Sequence, residues 1–216
     1  PGYYMATCSG PRPGVCQGMN SLATSSCNLK GISMDDNRLR TAVAAWLADA
    51  TAAEATYGHI STWETSAVTD TSALFEDASS FNDDIGAWDV SGVTTMHDMF
   101  FGASSFNRDI GEWRVESVTD MRYMFEDAFA FNRPIGGWDV SNVKDMYGMF
   151  DWAFAFNQAI GAWDVSGVTS IEEMFWGARS FNQSLNDWDI SSVKDMSWMF
   201  EDAIAFNRPL DAWNPA

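Results

Sequence analysis

Cysteine is nearly missing from this chain. Only three occur in 216 residues, Cys8, Cys16 and Cys27, and none follows Cys27. All three sit among Gly, Pro and Ser in residues 1–31. That clustering points to a disulfide-bonded, loop-rich extracellular leader. Three is odd, so at least one thiol is free or paired outside the chain. A zinc centre is disfavoured, because no close Cys-x-x-Cys pair exists and both histidines, His59 and His97, lie far off in sequence. Basic side chains are also scarce, with 12 Lys and Arg against 30 Asp and Glu and a formal charge of -18. That balance argues against nucleic acid, whose phosphates need cationic partners, and against docking on anionic lipid. It favours solubility, divalent cations or a salty, calcium-rich exterior. No apolar run approaches membrane-spanning length, so no membrane insertion is expected. Catalytic signatures are missing too: no Gly-rich phosphate loop, no Gly-x-Ser-x-Gly elbow, no His-Glu-x-x-His. The chain opens Pro1-Gly2-Tyr3 with no initiator Met or signal core. It ends Trp213-Asn214-Pro215-Ala216, just after a repeated Trp. Both ends read as a processed product or a piece of a longer one.

What is present is one phrase, repeated. Trp falls at Trp63, Trp88, Trp113, Trp138, Trp163, Trp188 and Trp213, every 25 residues. Phe-Asn pairs keep the same period from Phe81-Asn82 to Phe206-Asn207. A fixed period of this length, held without insertion, signals a solenoid. Each unit is too small to bury its own apolar groups and must share a core with its neighbours. Three segments follow: a Cys-containing leader at 1–31, a capping helix at 32–58, and six to seven repeats over 59–216.

Ser33 is a candidate N-cap for a helix over residues 33–50, with Asp35 and Asp36 in its first turn. Leu39, Val43, Trp46, Leu47 and Ala50 fall on one stripe, and the Ala-rich residues 51–57 extend it as far as Gly58. Such a helix would close the first coil. Within a unit, Met96, Met99, Phe100 and Ala103 lie at i, i+3, i+4 and i+7, which predicts a short helical turn. Trp113 and Val115 alternate as in a strand. Stacking would then give a parallel sheet at about 4.8 Å per coil, with bends at Gly111 and Ser91-Gly92.

The phrase Trp-Asp-Val-Ser-x-Val-x-x-Met-x-x-Met-Phe-x-x-Ala-x-x-Phe-Asn, kept over residues 57–213, resembles the repeat of BspA-like surface proteins. These are a divergent leucine-rich-repeat group of bacteria and single-celled eukaryotes. The resemblance implies an α/β repeat solenoid of leucine-rich-repeat-like coils, each with one short parallel strand and one short helical turn, behind an N-terminal helical cap. It implies a place at the cell surface, adhesion to matrix or cells, and no enzyme activity. The unit at Trp113-Arg114-Val115-Glu116-Ser117 departs by losing the Asp and first Ser, and the first unit has Thr71 and Leu74 in place of Met.

Invariant columns read first as scaffold. The Asn column suits a ladder between coils; Asn182-Gln183-Ser184 is also a glycosylation acceptor pattern. The acidic columns Asp89, Asp139, Asp164, Asp189 and Asp70, Asp120, Asp145, Asp195 suit turn capping. Calcium is possible there, although no calcium-loop spacing occurs. Carboxylate pairs fit for glycoside chemistry would sit in repeated columns, where a singular active site is not expected. The letters that change carry more information. Tyr123, Phe129, Tyr147, Trp152, Phe154, Trp176 and Trp198 occupy positions that other units fill with small or polar residues. They either form an exposed patch for a partner or fold back and thicken the core. The expectation is a non-enzymatic extracellular scaffold that is structural or adhesive, acting through self-association or protein partners. The alternative is a module holding glycan or peptide on those aromatics.

Overall fold

The computed structural model describes residues 31–213; the cysteines and the leader lie outside this range. Helix α1, Asp36–Ala48, is followed by α2, Ala50–Tyr57, and a single 3-10 turn, Ile60–Thr62. The α1 cap is Asp35, which accepts from the Arg38 N–H at 2.8 Å. Ser33 instead forms a parallel bridge with Glu64. The helix breaks at Asp49, whose carboxylate accepts from the Ala52 N–H and starts α2. Leu39, Ala42, Val43 and Trp46 are buried, whereas Leu47 is exposed.

From Trp63 the chain winds in stacked coils, and here the expected secondary structure does not hold. The apolar stripe is real, since Met96, Met99, Phe100 and Ala103 are all buried, but its backbone is not helical. Asp98 and Gly102 are left-handed, at φ 57° and 65°. The N–H groups of Met96, Asp98, Phe100 and Gly102 do not turn back along their own coil. They donate to the carbonyls of Asp120, Arg122, Met124 and Glu126 in the next one. Within the coil only tight turns of two or three residues close, such as Met99 N–H to Met96 O and Ser104 N–H to Gly102 O. A chain of such turns buries the same i, i+3, i+4 and i+7 positions as a helix without making one.

The strand is absent as well. Trp113 and Val115 are buried and Arg114 is exposed, so the alternation is real. Yet residues 106–115 form no ladder. Their polar groups are taken by turns, as Trp113 N–H to Ile110 O and Gly111 N–H to Asp109 Oδ1, and by side chains. The only bridges between coils among the described residues are isolated parallel pairs, Asp70 to Thr95 and on through Asp120, Asp145, Ser170 and Asp195. They join the start of the turn segment rather than the expected strand. The leucine-rich-repeat-like α/β architecture is therefore replaced by a stack of turn-built coils, with no sheet among the described residues.

Three side-chain ladders lock the stack. Phe75, Phe100, Phe125, Phe150, Phe175 and Phe200 stack between coils at 5.5–5.7 Å. Within each coil that ring lies near 4.0 Å from the Phe of the Phe-Asn pair, as Phe125 does to Phe131. From Trp88 to Trp213 each column Trp indole donates to a carbonyl 28 residues earlier, such as Trp138 to Ile110, whereas Trp63 donates to Gly58 O. Each Asn Oδ1 accepts from the next Asn backbone N–H, as Asn107 does from Asn132 and Asn132 from Asn157. The Asn column is thus the ladder its position suggested. Asn132→Ala strips a partner from the Asn157 N–H and from the Gln158 amide and is expected to cost about 1–3 kcal/mol. Asn207→Ala, with no N–H on its Oδ1 among the described residues, is expected to stay within about 0.5 kcal/mol. Urea unfolding of the two variants compares them directly.

Candidate functional site: an aromatic and acidic turn face

The left-handed residues form two columns along one side of the stack. One runs Ala73, Asp98, Tyr123, Gly148, Glu173, Trp198; the other Asp77, Gly102, Asp127, Trp152, Gly177, Asp202. A non-glycine residue there costs roughly 1–2 kcal/mol, so the positions that hold large side chains call for an explanation. Two of the glycines supply part of it. A Cβ at Gly148 would sit 2.5 Å from the Tyr123 ring, and one at Gly177 would sit 3.0 Å from the Trp152 ring. Each glycine makes room for the aromatic of the coil before it, which lies against the next coil.

The seven variable aromatics fall into three groups. Tyr123 and Tyr147 meet at 4.6 Å. Phe129 and Phe154 stack at 4.8 Å, with Trp152 edge-on to Phe154 at 5.6 Å. The Arg179 guanidinium sits over this group, 4.5 Å from the Phe154 ring centre and 5.7 Å from that of Trp152. Trp176 and Trp198 lie 6.2 Å apart. Phe129 is 41% exposed and Trp198 59%; the other five are half-buried. The face is thus a row of partly sunken rings with two projecting ones.

Acids share the face, and the sequence reading passed over them. Glu126, Asp151 and Trp176 occupy the same position in three successive coils. Asp151 is 5% exposed. Glu126 Oε2, Asp151 Oδ1 and Trp176 Nε1 are buried with no hydrogen-bond partner among the described residues. Burial, with the Asp151 charge next, pushes the Glu126 carboxyl up to about 8. Burial, with Glu173 next, pushes Asp151 up to about 7. Burial also raises Asp127, with Asp77 adding to it, and raises Asp98 despite His97 at 3.0 Å. The Tyr147 phenol is pushed well above its ordinary value by its hydrogen bond with Tyr123, by burial and by Glu173. Asp120 behaves oppositely: burial would raise it, but the bonds from Arg122, at 2.7 Å and 3.0 Å, outweigh that and hold it low. A signal for the acid pair existed in the sequence. The column reads Glu76, Phe101, Glu126, Asp151, Trp176, Glu201, and Phe and Trp within it mark a position that sinks in the central coils, as at Glu126 and Asp151, while Glu76 and Glu201 are exposed.

The other candidate residues are dispersed. Asp89, Asp139, Asp164 and Asp189 each accept from the N–H of the Ser two places on, which is the turn-capping role. Asn182 is half-buried, and its Oδ1 accepts from the Asn207 N–H. No group of three or more His, Cys, Asp or Glu among the described residues is placed to hold a metal ion. No helix among them is long and apolar enough to cross a membrane.

The family described as Mycoplasma protein of unknown function, DUF285, matches the chain over residues 43–159 and 133–216. The chain belongs to the DUF285 family. Neither the curated proteins nor the solved structures contain a match. The two DUF285 matches overlap over 133–159, as a repeat laid twice along one stack would. Together they take in the whole turn face, so the acids and aromatics sit on the family's own repeat.

The acid pair gives this face a pH dependence. Folded Glu126 and Asp151 hold protons that the unfolded chain releases near the ordinary carboxylate range. The folded state therefore binds more protons between those limits, and stability falls as pH rises through 7 to 8. Melting temperature is expected to drop by several degrees from pH 5.5 to pH 8.5. Glu126→Gln is expected to flatten that slope and raise the value at pH 8.5.

Proposed function

We propose that this DUF285 chain is a non-enzymatic, extracellular adhesive scaffold of the cell surface, acting through its turn face on protein partners. The observation that carries this reading is the row of seven aromatics. The fold does not need them, since other coils hold Ser, Asp, Gly or His at the same positions, yet neighbouring coils place them side by side. Aromatic side chains with an Arg among them are what protein interfaces concentrate. The resemblance to BspA-like repeats and the repeat-built family support the same reading. Self-association, in this reading, runs sideways through Phe129 and Trp198, because α1 already lies on the first coil. Nothing in the reading requires calcium or any other cofactor.

A specific observation favours a glycan as the alternative ligand. Phe129 and Trp198 project from the face, and the Arg179 guanidinium lies over the Phe154 and Trp152 rings. Ring faces flanked by hydrogen-bonding groups suit sugar hydroxyls.

Beads coated with the chain, applied to immobilised extracellular-matrix proteins and to a glycan array, separate the two. The triple variant Phe129→Ala, Trp152→Ala, Phe154→Ala is expected to lose at least about tenfold in bead capture, the loss of one or more interface anchors, while keeping the wild-type far-ultraviolet spectrum. Retention on protein spots supports the first reading and retention on sugar spots the second. Capture by the folded triple variant equal to wild type sinks both.

A further inference from the structure

Coil by coil, one row on the turn face holds Ser79, Ser104, Phe129, Phe154, Arg179 and Ile204. Three neighbours in it form a stack of planar groups. Phe129 lies on Phe154 with ring centres 4.8 Å apart and planes 8° off parallel. Arg179, from the coil beyond Phe154, sets its guanidinium 4.5 Å from the same ring centre. Phe154 is therefore covered by Phe129 from one side and by Arg179 from the other. A guanidinium on a ring face is attracted by the ring quadrupole and stacks flat on it. One end of the phenylalanine pair thus already holds an arginine.

The other end is open. The outer face of Phe129 looks toward the preceding coil, where the row holds Ser104, and no ring stacks on it from that side among the described residues. Phe129 stays exposed, whereas Phe154 is half-buried. Ser104 is short and turned back, its hydroxyl donating to the Ser79 carbonyl. Two residues before it stands Gly102, with no side chain at all. Together they leave a shelf beside the ring.

Two carboxylates border that shelf. Asp77 and Asp127 flank Gly102 in its column of left-handed residues. The Asp77 carboxylate lies over the glycine, since a Cβ there would sit 2.7 Å from Asp77 Oδ1. Asp127 is joined to the ring by a tight turn, its carbonyl accepting from the Phe129 N–H at 2.9 Å. Burial raises the Asp127 carboxyl and the Asp77 charge adds to the rise, so the two groups act on each other across the coil. Neither pairs with a cation among the described residues.

We propose that the shelf beside Phe129 takes an arginine side chain of a protein partner, its guanidinium stacked on the open ring face and its N–H edges turned to Asp77 and Asp127. The assignment rests on the turn face being the adhesive surface, and adds the chemical group that this face selects. Charge complementarity favours a basic partner, because the chain carries a formal charge of -18 and draws cationic groups toward it. Planarity favours arginine over lysine, whose compact ammonium cannot lie flat on a ring while forking to two carboxylates. Arg179 shows the same fit at the other end of the ring pair.

The probe is a synthetic peptide of alternating Gly and Arg, with Gly-Lys, Gly-Gln and Gly-Glu counterparts. Each is titrated into the intact chain while the amide NMR signals of Gly102, Ser104 and Phe129 are followed. The Arg peptide is expected to shift all three saturably and to bind about fivefold or more tighter than the Gln peptide, with the Lys peptide between them. Its affinity is expected to fall about tenfold between about 0.05 M and about 0.5 M salt. Phe129→Ala, and the pair Asp77→Asn with Asp127→Asn, are each expected to weaken binding about threefold or more. Ser104→Arg is expected to remove binding while keeping the wild-type far-ultraviolet spectrum, because the row accepts Arg179 and the new side chain would fill the shelf from within. Equal binding of the Gln or Glu peptide, undiminished binding to Ser104→Arg or Phe129→Ala, or no binding by any peptide would overturn the assignment. Bead capture by the triple variant judges the turn face separately. Capture lost there alongside any of those results leaves the face adhesive toward another chemistry, and capture unchanged sinks both.

Discussion

Everything in this molecule depends on where alternate backbone N–H groups go. In each coil from Thr71 to Gly177 four of them, two residues apart, leave their own turn and bond the carbonyls of the next coil. Left-handed residues make that possible, since they rotate successive peptide groups so that the N–H row faces one way along the stack. The conformation is costly for an L-residue, and it recurs twice per coil. A single 25-residue unit has too little core to hold it. The cost is offset only when the next coil supplies the carbonyls and covers the Phe rings, which is why the fold exists as a stack and not as separate units.

From that constraint the scaffold follows. Side chains must complete the inter-coil bonding wherever the backbone turns away. Trp indoles and Asn amides do so in every coil, and Asp carboxylates cap the bends between them. This explains why Trp, Asn and Phe are the invariant letters and why Asp recurs in most coils: each has one hydrogen bond or one ring contact to make. It also leaves the turn face free to vary. Large aromatics enter where a neighbouring coil offers Gly148 or Gly177, and buried carboxylates enter beside them. Burial raises both Glu126 and Asp151, with Asp151 adding to the rise at Glu126 and Glu173 to that at Asp151, so the face holds protons that its composition alone does not suggest.

Much of this was legible in the sequence, and the failures have a common cause. The period, the core columns, the Asn ladder and the Asp turn caps could be read because they depend on side-chain chemistry at fixed spacing. The backbone could not. Burial at Met96, Met99, Phe100 and Ala103 has the spacing of a helix, and burial at Trp113 and Val115 that of a strand, but burial reports which side chains face inward and not how the peptide groups bond. Of the twelve left-handed residues in the two columns, nine are Asp, Tyr, Trp, Glu or Ala and three are Gly, so no glycine signature announces them. Glu126 and Asp151 were missed for a related reason. In an acidic chain each looks like one more surface charge until the column it occupies is compared across coils.

The most direct test is detection of the hydrogen bonds themselves by through-bond NMR couplings between amide nitrogen and carbonyl carbon. The account predicts couplings from Tyr123 N to the Tyr147 carbonyl, and from Phe125 N to the Met149 carbonyl, in neighbouring coils. Couplings from Phe125 N to the Met121 carbonyl, four residues back in the same coil, would mean a helix and would contradict it.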